Sequence, residues 1–231
     1  MDKSLFVFMF LVFILIFSLA ARAQVFEADI LWAGKTLSVE VFTGTEGIGV
    51  RVFHEEQSTL RFVSDTKAQT LTVIDDLNRT FSVLENQKAI AVFFLFALSR
   101  IFGVEEEWLK EGPISFYPSG ETKLLPPFGD CFRLKVNDDL SPIFWSREIT
   151  PSLGSITGQK VGFLKNEGIR FPFWEEIVTL PGFPVAVFLD GFATYRLYAV
   201  REAEEDWITL FTFDDENYRK EEWTDFLTPW I

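Results

Sequence analysis

The most continuous apolar stretch in the body of the chain lies within residues 86–102, where no polar residue occurs between Ala89 and Leu98. This run is shorter than the roughly 20 residues that cross a bilayer, so it is predicted to be buried inside the protein. Its alanines and leucines favour a helix and its phenylalanines do not, so the pattern alone leaves helix and strand open. Its length favours a helix. Because a helix that is apolar on every side must be enclosed, the rest of the chain is expected to cover it.

Residues 25–84 show a different pattern, in which apolar and polar side chains alternate in six short segments separated by turn residues. Alternation with one polar face is typical of antiparallel strands, and brief turns between such strands indicate a meander. The residues predicted to share the apolar face are Leu37, Val39, Val41, Ile48, Val50, Val52, Leu60, Phe62, Leu71, Val73, Phe81 and Val83. The apolar helix that follows is the predicted partner of this face.

The second half of the chain is predicted to add six further strands to the same sheet. They are residues 114–117, 131–136, 143–148, 185–189, 193–201 and 207–213. Asp190-Gly191 marks a hairpin between two of them. Residues 150–166 are predicted to be a loop with a short helix near 158–164, and a second short helix is predicted at 174–179. Since no linker rich in Gly, Pro or Ser interrupts the pattern, residues 24–231 are predicted to form a single domain.

The amino-terminal end has the features of a secretory signal peptide, with Lys3 before an apolar run at residues 5–19. Ala21 and Ala23 form a small-x-small cleavage site, so the predicted signal is residues 1–23 and the mature chain begins at Gln24. An uncleaved anchor helix is the alternative. Cleavage predicts an exported, periplasmic protein with no membrane span. Cys131 is the single cysteine, so no disulfide within the chain can stabilise the fold, and its place in a predicted strand implies burial.

The net charge limits the classes of partner that the protein is expected to bind, and the aromatic content bears on the kind of core. The formal net charge is −13, and loss of the predicted signal makes the mature chain more acidic, which argues against nucleic acid or an anionic membrane surface as a partner. The chain contains 27 Phe and 7 Trp, which indicates either a Phe-rich packed core or an apolar cavity. Composition alone leaves both interpretations open.

No catalytic motif is present in the sequence. His54 is the single histidine, it lies beside Glu55 and Glu56 in a predicted turn, and a triad or a His/Cys metal site would have to depend on it. The acidic runs at residues 202–206 and 214–216 leave calcium as an alternative, although neither has EF-hand spacing. Paired carboxylates for glycoside hydrolysis also stay open, because 34 acidic residues offer many pairs. The prediction is a non-enzymatic protein with no catalytic residue, no metal and no cofactor.

The pattern resembles an uncharacterised family of exported bacterial proteins with a LolA-like (lipoprotein-localisation factor) fold. The resemblance rests on the meander ending in Thr70-Leu71-Thr72-Val73 and Thr80-Phe81-Ser82-Val83, on Gly129-Asp130-Cys131-Phe132 followed by Phe144-Trp145-Ser146, on the Gly182-Phe183-Pro184-Val185 turn, and on Leu210-Phe211 with Tyr218-Arg219-Lys220. It implies a mainly β (α+β) fold: a curved antiparallel sheet or incomplete β-barrel with one or more helices packed on its concave face. It also implies carriage or binding of an acyl chain or other apolar ligand. The chain departs from the family pattern in one respect. Near the apolar helix, the basic residues that could contact anionic head groups are limited to Lys88 and Arg100.

The leading hypothesis is therefore a periplasmic protein that binds an apolar ligand, a lipid or an acylated protein, between the sheet and the helix. The residues predicted to line that apolar site are Ile90, Phe93, Phe94, Phe96 and Ala97 from the helix and Val39, Val41, Val50, Val52, Phe62, Val73 and Phe81 from the sheet. Ile90, Phe93, Phe94, Ala97 and Ile101 form one stripe at helical spacing, whereas Phe96 falls off it. The alternative is a structural module with a fully packed core that binds an exported protein partner.

Overall fold

The computed structural model describes residues 23–32, 35–44, 47–54, 57–65, 69–101, 104, 113–150, 152–204 and 206–222. Residues 1–22, most of the predicted signal peptide, lie outside the described residues. So do Glu55, Glu56 and the side chains of Phe93, Phe94, Phe96, Ala97 and Ile101. The predictions made for those side chains therefore stay predictions.

Twelve strands form the described sheet, and the first six follow the predicted meander. They are β1 (Gln24–Trp32), β2 (Lys35–Thr43), β3 (Gly47–His54), β4 (Gln57–Asp65), β5 (Thr70–Asp75), β6 (Thr80–Leu84), β7 (Phe116–Leu124), β8 (Asp130–Val136), β9 (Asp139–Ser146), β10 (Phe183–Leu189), β11 (Phe192–Glu202) and β12 (Arg219–Lys220). Their spatial order is β12-β6-β5-β4-β3-β2-β1-β11-β10-β9-β8-β7. All pairs are antiparallel except β12 with β6, so the fold is mainly β with one open, mixed sheet, consistent with the predicted curved sheet.

Three α-helices accompany the sheet in the described part of the chain: α1 (Gln87–Ile101), α2 (Leu153–Asn166) and α3 (Pro172–Ile177). The helix predicted at residues 86–102 is confirmed as α1. The described helices contain none that is long and apolar enough to cross a membrane. α2 is longer than the short helix predicted within residues 150–166, because packing supports a sequence of weak helix propensity. Gly154 permits this packing, since a Cβ atom there would lie 1.7 Å from the carbonyl oxygen of Val178 just after α3.

One large core joins the helices to one face of the sheet, which we call the helix face. Phe26, Val41 and Phe62 from the strands share this core with Leu95 of α1 and Trp174 of α3. Ten of the twelve meander residues predicted to share a face lie in it: Leu37, Val39, Val41, Ile48, Val50, Val52, Leu60, Phe62, Leu71 and Val73. The prediction of a sheet with its apolar face towards the helices is thus confirmed for β2 to β5.

The opposite face, which we call the outer face, carries a second and smaller core built from the C-terminal strap, residues 206–222. Trp207 and Phe211 of the strap pack on Val25 and Phe42 of the sheet. Arg61 fixes the strap by donating hydrogen bonds from Nη1 to the carbonyl oxygens of Leu210 (3.1 Å) and Thr212 (2.9 Å). It also pairs with Asp76 at 2.7 Å, to which Tyr218 donates a hydrogen bond of 2.8 Å.

The strap explains two wrong predictions. The strand predicted at residues 207–213 is instead a 3₁₀ helix, Trp207–Phe211, and both of its buried aromatic residues pack on the sheet. The predicted face of Phe81 and Val83 is also wrong, since Phe81 pairs with Ile74 and Ser82 pairs with Val73. Phe81 therefore lies on the outer face, where its ring centroid is 4.8 Å from that of Phe213. Alternation identified two faces of β6 correctly, but both faces are covered and the register decides which one points to the helices.

Candidate ligand-binding face

The helix face of β1 to β6 consists of three cross-strand rows, each contributed by one residue from every strand. The first row contains Gln24, Thr43, Ile48, Ser64, Leu71 and Leu84; the second contains Phe26, Val41, Val50, Phe62, Val73 and Ser82; the third contains Ala28, Val39, Val52, Leu60, Asp75 and Thr80. The centre of this face is apolar and its margins are polar.

Six of the predicted lining residues occupy the middle of the second and third rows: Val39, Val41, Val50, Val52, Phe62 and Val73. Each is at most 1% exposed. They form a continuous apolar strip across β2 to β5, as alternation predicted. Phe81 does not belong to this strip, because its side chain lies on the outer face. The strip therefore ends at Ser82, which takes the position in the second row that an apolar residue was expected to hold.

Helix α1 shares the core of this strip and begins at the edge formed by the first row. β6 ends at Leu84 of that row, and Asn86 caps the helix by accepting a hydrogen bond of 3.0 Å from the backbone N–H of Ala89. Ile90 is 2% exposed and belongs to the same core as the strip, as the sequence predicted. Ala91 and Leu95 are completely buried in that core as well.

A polar contact at the other end of α1 was not predicted from the sequence. Ser99 is buried in α1, its Oγ atom donates a hydrogen bond of 2.7 Å to the carbonyl oxygen of Leu95, and it accepts one of 3.0 Å from Nε1 of Trp174. This contact attaches the C-terminal half of α1 to α3. Trp174 is itself fully buried, so the attachment lies within the core. The two residues are 75 positions apart, and neither stands in a motif that would have revealed the pair.

Three buried polar atoms on the helix face have no hydrogen-bond partner: Oε1 of Gln24, Oγ1 of Thr43 and Oγ of Ser82. Gln24 and Thr43 are cross-strand neighbours in the first row, whereas Ser82 lies four strands away from Thr43. The ionisable residue in the three rows, Asp75, is satisfied by the backbone N–H and side-chain amide of Asn78 at 2.9 and 2.7 Å. Because buried polar groups are normally paired, the margins of this face are its chemically distinctive part.

His54 and Cys131, the candidate catalytic groups, lie on different strands of the described sheet, β3 and β8. His54 is the last residue of β3 and not part of a turn as predicted. Cys131 is completely buried, as expected for its strand, and burial raises the pKa of its thiol to about 11, with Asp130 and Glu148 adding to the effect. Within the described residues, no cluster of three or more His, Cys, Asp or Glu side chains could hold a metal ion.

Comparison with known proteins adds no function to this geometry. No protein-family model matches the sequence, and no curated protein matches it significantly. The helix face and the two covers of the sheet are therefore the basis for any functional inference.

Proposed function

We propose that this chain is a non-catalytic exported protein of LolA-like fold that holds an apolar ligand between α1 and the helix face. The ligand class is a lipid or the acyl chain of an acylated protein. Residues 1–23 act as the signal peptide in this proposal, and the protein works in the periplasm.

The observation that carries the proposal is the apolar strip across β2 to β5, which shares one core with α1. Five valines and Phe62 present only hydrocarbon on this face, and an acyl chain gains affinity mainly by removing such surface from water. Polar atoms without partners occur at the margins of the strip and not within it. This separation of an apolar centre from polar margins matches the division of a lipid into chain and head group.

The attachment of α1 supports the same function. The helix follows β6 directly at its N-terminal end, and Ser99 connects its C-terminal half to α3 through Trp174. A cover attached in this way can separate from the strip without disturbing the pairing of the strands. Entry of a ligand between helix and sheet then requires displacement of α1 and no change in the sheet.

The test is binding of an apolar fluorescent dye, N-phenyl-1-naphthylamine, followed by its displacement with acyl compounds. Phe62→Ala should change the affinity of the dye about fivefold or more, because Phe62 lies in the strip. Phe53→Ala is the matched control, since Phe53 lies next to Val52 in β3 and so points to the outer face. Native mass spectrometry of protein purified from its own cells identifies a ligand that co-purifies.

A packed interaction module is the second candidate, and the near-complete burial of Val41, Val50 and Phe62 favours it. In that case the strip touches only other parts of the chain, as in an ordinary protein interior. The wild-type protein would then bind no dye and carry no lipid, and Phe62→Ala would lower stability alone. This result would reject the carrier function and leave a protein partner as the ligand.

A further inference from the structure

Lys160 is a cation on the inward side of α2. A Cβ atom at Gly158 or Gly162 would meet nothing within 4 Å, so that side of α2 is open. Lys160 is two positions from each glycine and therefore points about 160° away from the open side, because successive helical residues are about 100° apart. Leu164, one turn further on, is buried in the core that contains the apolar strip, and Lys160 is itself half-buried.

The packing of α2 relates Lys160 to the proposed ligand site. α2 packs against α1, and Val161 and Leu164 of α2 belong to the same core as Phe62 of the strip and Leu95 of α1. The proposed ligand lies between α1 and the strip, so its polar end can emerge where α1 meets α2. A lysine carries its charge on a flexible four-carbon stem, which allows the ammonium group to follow such an end.

The charge of Lys160 lacks an acidic partner. Within the described part of the chain, no residue forms an ion pair or a hydrogen bond with it, and burial lowers the pKa of its ammonium group. By contrast, Lys165 of the same helix is exposed and pairs with Glu175 at 3.3 Å. Because buried charges are normally paired, an inward lysine without a partner indicates a place where an anionic ligand group binds.

We infer that Lys160 binds the anionic end of the ligand, a carboxylate or a phosphate, while the hydrocarbon part of the ligand lies between α1 and the strip. The inference rests on the proposed function, because it names the head-group class of the ligand that the strip would hold. A free fatty acid supplies a carboxylate and a phospholipid supplies a phosphate, and either group can accept a charge-assisted hydrogen bond from an ammonium group. Lys160 binds and orients the ligand and takes part in no reaction.

The experiment compares dodecanoate, dodecyl phosphate and dodecanol as displacers of N-phenyl-1-naphthylamine at about pH 8, where both acids are ionised. Lys160→Met removes the charge and keeps an unbranched side chain. It should raise the concentration of an anionic displacer that releases half of the dye about tenfold, which corresponds to one hydrogen bond to a charged group. Dodecanol and the dye itself should bind within about twofold of their wild-type affinities, and Lys160→Arg should retain the affinity for the anion.

The two anionic displacers distinguish the two sources of the head group. A loss for dodecanoate alone identifies a fatty acid, a loss for dodecyl phosphate alone identifies a phospholipid, and a loss for both identifies a site for either anion. Each of these results supports the assignment of Lys160.

Lys165→Met is the matched control, because it removes a charge from the exposed side of the same helix while Glu175 still pairs with Arg170. It should leave all three displacement curves unchanged. Urea denaturation should show Lys160→Met to be at least as stable as wild type, since no partner is lost. If wild-type protein binds no dye, the proposed function fails and this inference with it. If dye binds but Lys160→Met weakens neither anion, or weakens dodecanol equally, only the anion site is refuted; a marked loss of stability would reject it too, because Lys160 would then have a structural partner.

Discussion

The outer face offers the sharpest test of how the strap holds the sheet, because one glycine makes room for it. Gly49 of β3 lies between Phe42 and Val63 on neighbouring strands, and the ring of Phe211 occupies the space above it. A Cβ atom at Gly49 would lie 2.1 Å from Cε2 and 2.2 Å from Cζ of that ring. Contacts this short do not occur, so in Gly49→Ala the ring must leave its position.

The size of the expected stability loss follows from the contacts that the Phe211 ring makes. Phe211 is 3% exposed, and its ring centroid is 5.7 Å from that of Phe42 and 5.8 Å from that of Trp207. Overpacking that is relieved by small shifts costs about 1–3 kcal/mol, whereas full loss of a buried Phe costs about 3–5 kcal/mol. We expect Gly49→Ala to lower the free energy of unfolding by about 3 kcal/mol, where the two ranges meet.

Urea denaturation, followed by tryptophan fluorescence, measures this loss. Gly158→Ala is the control, because a Cβ atom at Gly158 of α2 meets nothing within 4 Å and should stabilise the helix by about 0.5–1 kcal/mol. In a Phe211→Ala background the collision is absent, so Gly49→Ala should cost little there. If Gly49→Ala costs the same with and without Phe211, or costs less than about 1 kcal/mol in the wild-type chain, the role assigned to Gly49 is wrong.

Two further changes test the fixed parts of the fold. Arg61→Met should destabilise the protein by about 3 kcal/mol in denaturation experiments, since it removes the cation that pairs with Asp76 and the donor to two strap carbonyl groups. Arg61→Lys should restore little, because an ammonium group cannot make the paired contacts, and equal stability of wild type and Arg61→Met would contradict the role assigned to Arg61. Cys131 should react with a maleimide at about pH 8 only after unfolding, because its raised pKa keeps the thiol protonated and strand packing shields it; fast labelling of the native protein would contradict burial.

The local sequence pattern was sufficient to predict an element where one of its faces is buried and the other is exposed to solvent. The alternation of Leu37, Val39 and Val41 gave β2 and its orientation, and the Ala- and Leu-rich run gave α1. The pattern failed where tertiary contacts cover a second face. Phe81 lies on the outer face, which the strap covers, and Phe211 is part of that strap. Nothing in the sequence of β6 or of residues 207–213 shows that these side chains are buried on the outer face and not on the helix face.

The candidate site was only partly accessible from the sequence for a related reason. The valines of the strip follow from period-two alternation, and so does the position of Thr43 beyond Val41. The lack of a partner for Thr43 Oγ1 does not follow, because it depends on every group that approaches from other strands and helices. The contact between Ser99 and Trp174 is similarly invisible, since it joins residues brought together only by the packing of α1 on α3.

The two covers of the sheet differ in how they are attached, and this difference yields a last prediction. The strap is held by Arg61, by Tyr218 and by backbone pairing with β6, whereas Ser99 of α1 accepts its hydrogen bond from Trp174. Trp174→Phe removes a hydrogen bond of about 0.5–1.5 kcal/mol and should loosen α1, so that stopped-flow mixing shows faster entry of N-phenyl-1-naphthylamine. Gly49→Ala disturbs the strap on the other face and should leave the entry rate unchanged. If both variants change the rate of dye entry to the same extent, displacement of α1 does not control access to the strip, because the sheet as a whole would then have responded.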